Sequence, residues 1–246
     1  MRKIERYGWR PDHPDHRDYL FIPSGAATDT PADWRPFLPP AYDQGQLGTC
    51  TCHSAVAAFQ CNQKLQGKSV VMPSRLFLYW NSGVIEGTQG QDVGRENRDV
   101  LLSLVKDGVC PETMWPYGSY QGFKPNQNCY SEAERQEVLE YSRVDNTDWN
   151  TLLEAIRTRP VIFGFSVPQS FEGNEIARTG VMEMPKDNEP IVGGHSVLAI
   201  GDEPDRILVR NSWGEHWGQS GNFWMPRSFI TDGDWCNDFW MVKRIT

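Results

Sequence analysis

One cysteine of this chain stands where its surroundings favour attack on a carbonyl group. Cys50 follows the run DQGQLGT at residues 43–49 and opens a stretch of small and apolar residues that predicts a helix. Gly45 and Gly48 allow the chain to turn tightly into that helix. The partial positive charge and free N–H groups of a helix N-terminus favour a thiolate, so Cys50 is a candidate nucleophile.

The second half of the chain contains two further polar motifs next to predicted strands. His195 lies in the run GGHSVLAIG, and Asn211 begins the run NSWGEHWGQSG directly after a predicted strand at 207–210. A nearby imidazolium stabilises a cysteine thiolate more strongly than a helix N-terminus does. An imidazole near Cys50 would therefore favour the thiolate further, and two strands joined by a short turn can place His195 and Asn211 side by side.

These three segments together resemble the papain-like cysteine peptidases. The run DQGQLGTC is similar to the family's glutamine-to-cysteine motif, in which a glutamine precedes the nucleophile by six residues. The histidine strand and the asparagine loop follow in the family's order, and His195 lies about 145 residues after Cys50, within the family's range. The resemblance extends from about Pro31 to the C-terminus.

The resemblance implies a cysteine endopeptidase that cuts peptide or protein substrates through a thioester. Cys50 would attack the peptide carbonyl, and His195 would protonate the leaving amine before water releases the acyl group. Asn211 would orient the imidazole, and Trp213 would shield their hydrogen bond from water. Gln44 and the Cys50 backbone N–H would stabilise the oxyanion. This chemistry requires no cofactor and no metal.

The predicted secondary structure agrees with this family. Helices are expected from Cys50, after Ser74, over 97–106 and over 148–158, whereas strands are expected beyond Pro160. Helices followed by strands predict an α+β protein. The resemblance implies a papain-like two-lobed fold, in which the active-site cleft separates a mainly helical lobe from a β-barrel-like lobe.

The chain divides into an extension and one larger domain. We expect residues 28–246 to form the peptidase domain, with its helical lobe over roughly 42–125 and its β-rich lobe over roughly 126–246. Residues 1–27 are polar and lack the long helical propeptide typical of the family. Our hypothesis is that they lie along the surface and partly cover the cleft, and the alternative is a strap that only packs on one lobe.

Four residues are candidates for substrate binding on the strength of the resemblance. The family's substrate-binding glycine pair corresponds here to Gly94-Arg95, so an arginine stands in place of the second glycine. Gly164 and Gly194 fall near the positions that line the family's pocket for the P2 side chain, which belongs to the second residue before the bond that is cut. Two glycines there predict a roomy pocket.

Composition narrows the choice of partners. The net charge of −8 argues against nucleic acid, because phosphate binding needs a basic face. No apolar run reaches the length of a membrane span, and the N-terminus lacks the apolar stretch of a secretory signal. We therefore expect no membrane partner and a cytoplasmic or otherwise Sec-independent location.

The six cysteines predict thiols with at most one or two disulfides, Cys110 and Cys129 being a candidate pair.

Three other functions are compatible with parts of this pattern. The run C-x-C-H invites a metal site made of Cys50, Cys52, His53 and Cys61, but a helix spreads these side chains around its axis. A papain-like module without activity is a second alternative, although the catalytic positions are intact. The third keeps the thioester and changes the reaction to that of an aminopeptidase, a transpeptidase or a deamidase.

Overall fold

Helices occupy the first half of the chain and pack around α1. The computed structural model describes residues 7–25, 30–118 and 122–246. Helix α1 is almost wholly buried, including its polar residues His53, Gln60, Asn62 and Gln63. Ser74 caps α2 by accepting the Phe77 N–H on its hydroxyl, and Gly87 ends that helix at a φ of 70°. Among the described residues, the α-helices that precede the first strand are α1 (Cys50–Leu65), α2 (Arg75–Glu86), α3 (Asn97–Lys106) and α4 (Gln127–Ala133).

An antiparallel sheet dominates the second half. In the described part of the chain it has six strands in the order β1-β6-β2-β3-β4-β5. The strands are β1 (Val138–Arg143), β2 (Val161–Pro168), β3 (Ile191–Glu203), β4 (Arg206–Arg210), β5 (Asn222–Pro226) and β6 (Cys236–Ile245). Between them lie the helices α5 (Trp149–Thr158), α6 (Asn174–Thr179) and α7 (Arg227–Ile230).

The two faces of the sheet serve two hydrophobic cores. Successive side chains of a strand point to opposite faces. In β2, Ile162 belongs to the core shared with the helices, whereas Phe163 and Phe165 belong to a second core on the other side. Phe163 stacks there on Phe239 of β6, with ring centroids 4.8 Å apart. The sheet thus joins a helical lobe to a β lobe, as a two-lobed fold requires.

Most of the predicted elements are present. The α+β class is confirmed, as are the helices at Cys50, after Ser74 and over 97–106. The division into lobes at 125/126 stays a prediction, since Trp240 of β6 belongs to the helical-side core. Among the described residues, no helix combines the length and the hydropathy of a membrane span.

The cap of α2 provides a test of this architecture. The Ser74 hydroxyl accepts the Phe77 N–H at 3.1 Å and donates to the Trp115 carbonyl at 2.6 Å. Replacing Ser74 by Ala removes both bonds, so we expect the free energy of unfolding in urea to fall by about 2 kcal/mol. Ser131→Ala is the matched control, because that exposed hydroxyl bonds only its own helix. Equal unfolding midpoints for the two variants would contradict this role of the cap.

Candidate active site

Cys50 is the first residue of α1 and is completely buried. Its sulfur accepts the backbone N–H of Ser196, on β3, at 3.4 Å. Burial raises the pKa of the Cys50 thiol to about 11, although N–H groups of Ser196, Gly8 and Thr51 act in the opposite direction. Desolvation thus opposes the thiolate that the helix N-terminus favours, and the thiolate stays a prediction.

His195 precedes Ser196 on β3 and is therefore close to the thiol. Its Nε2 is 2.8 Å from Oδ1 of Asn211, which follows β4. The backbone N–H of Ser212 donates to the same oxygen at 2.8 Å, and this bond fixes the orientation of the Asn211 amide. Because β3 and β4 are antiparallel neighbours, the short hairpin places the two side chains together.

Aromatic rings surround the hydrogen bond between His195 and Asn211. Trp213 stacks on the imidazole with ring centroids 5.2 Å apart and an interplanar angle of 28°. Phe171 and Trp217 in turn pack on Trp213, at 5.3 and 5.2 Å. These rings exclude water, and a hydrogen bond in such a low-dielectric environment is stronger than one in solvent.

Gln44 lies in the loop before α1 and is held against the asparagine loop. Its side-chain oxygen accepts the Ser212 hydroxyl at 2.7 Å, and its backbone N–H donates to the Ser212 carbonyl at 2.9 Å. Its side-chain nitrogen donates to the Leu47 carbonyl at 2.8 Å. A primary amide carries two N–H hydrogens, so this bond uses one of them.

A row of polar side chains connects α1, α3 and β3 beneath Cys50. The Ser54 and Ser196 hydroxyls are 2.9 Å apart, and Ser196 donates to Oδ1 of Asn97 at 2.8 Å. All three residues are buried. Since buried polar groups are costly unless they are paired, this row fixes the position of the helix against the strand.

The N-terminal segment, defined here as residues 7–25, passes directly beside these groups. Backbone hydrogen bonds join Trp9 N–H to Gly194 O at 3.0 Å, Arg95 N–H to Gly8 O at 2.8 Å, and Arg10 N–H to Arg95 O at 3.1 Å. The pairing of Trp9 with Arg95 is parallel. The rest of the predicted 1–27 extension, residues 1–6 together with 26 and 27, lies outside the described residues.

Glycines create the space that the N-terminal segment fills. A Cβ on Gly164 would lie 1.9 Å from Cε2 of Trp9, and one on Gly194 would lie 2.7 Å from Cε3. A Cβ on Gly94 would lie 2.6 Å from the Gly8 carbonyl oxygen. Larger residues at these three positions are therefore incompatible with the position of Trp9 and Gly8.

Asp12 attaches the N-terminal segment to the rest of the molecule. Its carboxylate accepts the Trp240 indole N–H at 2.8 Å and the Arg98 backbone N–H at 3.1 Å. Its own N–H donates to Asp238 at 2.8 Å. Burial and the Asp238 carboxylate raise the pKa of Asp12, and the pKa of Asp238 is also raised by burial. Two carboxyl groups are held close together here, so the donors around them are essential to the attachment.

Comparison with known proteins agrees with this geometry. Residues 28–237 match the sequence profile of the papain family cysteine proteases. An uncharacterised peptidase C1-like protein of Acanthamoeba polyphaga mimivirus is 36% identical over 216 residues, which are 83% of this chain and 70% of that protein. The crystal structure of xylellain, a cysteine protease from Xylella fastidiosa, superposes with a TM-score of 0.91 at 36% identity over 100% of this chain and 99% of that one.

The chain belongs to the papain family of cysteine proteases. The family resemblance inferred from the motifs is thus confirmed, and with it the papain-like fold. More distant relatives include cysteine proteinase 3 of Dictyostelium discoideum, 26% identical over 80% of this chain and 58% of that protein. Membership of the family makes this protein a hydrolase, a cysteine endopeptidase acting on peptide or protein substrates.

Most of the residues predicted for the papain-like site are close to one another. Cys50, His195, Asn211, Gln44 and Trp213 are linked through the contacts described above, and Gly94, Arg95, Gly164 and Gly194 all contact the N-terminal segment. The Arg95 side chain lies over the Tyr79 ring, 3.9 Å from its centroid. Its backbone N–H and carbonyl are left for pairing with an extended chain.

The other cysteines lie in the cores rather than in the site. Cys52 and Cys61 belong to the helical-side core, and His53 directs Nδ1 to the Thr49 carbonyl at 2.9 Å. Among the described residues, no group of three or more metal-binding side chains comes together. All six cysteines are free thiols, Cys110 and Cys129 included.

Three residues that lie at or near the candidate site were not identified from the sequence. Tyr7 and Trp9 lie in the polar segment whose course the sequence did not define, and Glu172 lies in a turn after β2. The Tyr7 hydroxyl donates to Glu172 at 2.7 Å. The paired aromatics around Gly8 were the available signal, because large apolar side chains in an otherwise polar segment need a surface to cover them.

The bond between His195 and Asn211 gives the most direct test of the site. We expect Asn211→Ala to lower kcat/KM about 10- to 100-fold, since a hydrogen bond to a group that becomes charged is worth about 1.5–3 kcal/mol. Turnover of a fluorogenic peptide measures this loss. Asn237→Ala is the control, because that amide bonds Gly233 and should leave kcat/KM unchanged. Equal kcat/KM for Asn211→Ala and the unmodified chain would contradict the positioning role.

Proposed function

We propose that Cys50 is the nucleophile of this cysteine endopeptidase and that His195 is its general acid and base. The observation that carries the proposal is the contact between the first turn of α1 and strand β3. There the Cys50 sulfur lies 3.4 Å from the Ser196 N–H, and the adjacent His195 is held by Asn211 at 2.8 Å. A nucleophile beside a base, with that base oriented by a third group, is the arrangement that activates a thiol.

The reaction then proceeds in two steps. The Cys50 proton passes to His195, and the sulfur attacks the carbonyl carbon of the scissile peptide to form a tetrahedral intermediate. His195 returns the proton to the leaving amine as the C–N bond breaks, which leaves a thioester. Water, deprotonated by His195, attacks the thioester carbon, and the thiol departs with the proton that His195 returns.

The charge on the tetrahedral intermediate requires donors that are already in position. We assign this role to the backbone N–H of Cys50 and to the second N–H of the Gln44 amide. The support for Gln44 is its rigid attachment to Ser212 and Leu47, which fixes the plane of the amide before substrate arrives. Fixed donors need no reorganisation during the reaction.

We further propose that the N-terminal segment keeps the enzyme latent by occupying the substrate's path. The backbone of Arg95 and the carbonyl of Gly194 are already hydrogen-bonded to residues 8–10, so substrate must displace them. The Gly8 N–H is also one of the groups that lower the pKa of the Cys50 thiol. The segment would therefore have to leave before a scissile peptide bond could reach the sulfur.

The role of Cys50 is tested by its removal. We expect Cys50→Ala to lower peptide hydrolysis at least about a thousandfold, because the thioester route is then closed. Cys61→Ala is the matched control, as its thiol is buried in the helical-side core and should leave the reaction intact. Peptide-library turnover, read by mass spectrometry, also distinguishes endopeptidase cleavage from trimming, ligation or deamidation. Equal hydrolysis by Cys50→Ala would contradict the proposal. Absence of cleavage both by the parent chain and by a Trp9→Ala variant, in which the site is uncovered, would favour an inactive module.

Latency is tested by the aromatic anchor of the N-terminal segment. Trp9→Ala removes a buried indole worth about 3 kcal/mol, so we expect the uncovered fraction of the enzyme to rise by as much as about 100-fold. The rate at which an epoxide inhibitor labels Cys50 measures that fraction. Tyr19→Ala is the control within the same segment, since its side chain is 82% exposed. If both variants label at the rate of the unmodified chain, the N-terminal segment does not restrict the cleft.

A further inference from the structure

Glu172 lies on the side of the site occupied by the imidazole. It ends the turn that follows β2, and the preceding Phe171 packs on Trp213, which itself stacks on His195. The Tyr7 hydroxyl donates to a Glu172 oxygen at 2.7 Å. The Tyr7 ring meets the His195 ring edge-on, with ring centroids 6.2 Å apart. The Tyr7 side chain therefore connects Glu172 to the imidazole.

The chemistry of the reaction identifies which part of a substrate reaches this place. His195 has to protonate the leaving amine, so the leaving group lies on the imidazole side of Cys50. The N-terminal segment runs from Tyr7 beside His195, through Gly8 at the sulfur, to Trp9 in the space left by Gly164. Tyr7 therefore marks the leaving-group side, and Trp9 marks the side of the acyl group.

We propose that Glu172 is a specificity-determining residue that selects the side chain directly after the scissile bond. It favours residues that donate hydrogen bonds or carry positive charge, namely Arg, Lys and Tyr, and it disfavours Asp and Glu. The proposal rests on the proposed function, because it takes Cys50 and His195 as the groups that cut the bond.

The contact with Tyr7 shows the chemistry that this position accepts. An ionised carboxylate is only an acceptor, so it pairs with hydroxyl, ammonium or guanidinium donors. Burial and the hydrogen bond to Glu172 raise the pKa of Tyr7, which keeps its hydroxyl protonated as a donor. A Lys or Arg in the same place would add charge attraction to the hydrogen bond, whereas an acidic side chain would meet like charge.

The Glu172 carboxylate also helps to distinguish a carboxypeptidase from an enzyme that cuts internal peptide bonds. A carboxypeptidase places the free C-terminal carboxylate of its substrate just after the scissile bond. Glu172 would repel that group, so the leaving-group side suits an internal peptide bond. This argues against carboxypeptidase activity independently of family membership.

The experiment measures competition between peptides that differ only in the residue after the scissile bond. Internally quenched peptides carrying Arg, Tyr, Gln or Glu there are mixed in pairs with the full chain, and the ratio of their kcat/KM values is read by mass spectrometry. Both peptides compete for the same uncovered enzyme, so this ratio does not depend on how much of the N-terminal segment is docked. We expect Arg to exceed Glu by about fivefold, the size of a partly exposed ion pair.

Two substitutions of Glu172 then separate its charge from its shape. We expect Glu172→Gln to bring the Arg-to-Glu ratio to within about twofold of unity, and Glu172→Lys to reverse it. Glu175→Gln is the matched control, because that exposed carboxylate pairs with Arg178 and should keep the parent ratio. Tyr7→Phe should also keep the ratio, since Tyr7 has left the cleft when substrate is cut.

The outcomes distinguish this inference from the function on which it rests. A parent ratio near one, or a ratio that Glu172→Gln leaves unchanged while cleavage still depends on Cys50, overturns the role of Glu172 alone. Loss of all Cys50-dependent cleavage in the parent chain overturns the proposed function, and this inference with it. Stoichiometric epoxide labelling of each variant verifies that its site is folded.

Discussion

The contact between the first turn of α1 and the middle of β3 is the constraint on which the rest of the site depends. Cys50 and Ser196 meet there, and the hydroxyls of Ser54 and Ser196 lie 2.9 Å apart in a buried environment. A slip of one residue in β3 would turn its side chains to the opposite face and remove both contacts. The register of the whole sheet therefore decides whether His195 lies beside the thiol, and both hydrophobic cores contribute to a geometry that no local motif specifies.

In the proposed mechanism, catalysis and latency would use the same backbone groups. Arg95 and Gly194 are the residues proposed to pair with an extended substrate, and their backbone groups are hydrogen-bonded to residues 8–10 of the N-terminal segment. Burial raises the pKa of the Cys50 thiol in this arrangement, whereas the nearby N–H groups lower it. Release of the segment would both free these backbone groups and return water to the sulfur. In this proposal, one movement would control both substrate access and the ionisation of the nucleophile.

The parts of the structure that follow from short-range patterns were predictable from the sequence. The helix at 97–106 has apolar residues at helical spacing. The motif before Cys50 contains the glycines that allow the tight turn into α1. Strand β1 was missed because its exposed Leu139 and Glu140 break the alternation that marks a half-buried strand. The contacts of Trp9 were not predictable, because they depend on the absence of side chains at Gly164 and Gly194, far away in sequence.

The N-terminal segment illustrates why such contacts need several attachment points. Each residue ordered in an extended chain costs about 1–2 kcal/mol in backbone entropy, and this segment has no helix or sheet of its own to offset that cost. Its stability comes from separate sites, chiefly the Trp9 indole against Gly164 and the Asp12 carboxylate with the Trp240 indole N–H. The Arg98 side chain adds an ion pair with Asp18 at 2.7 Å. Asp12 and Asp18 share Arg98 and Arg143 as partners, so the contributions of these two sites are coupled and do not simply add.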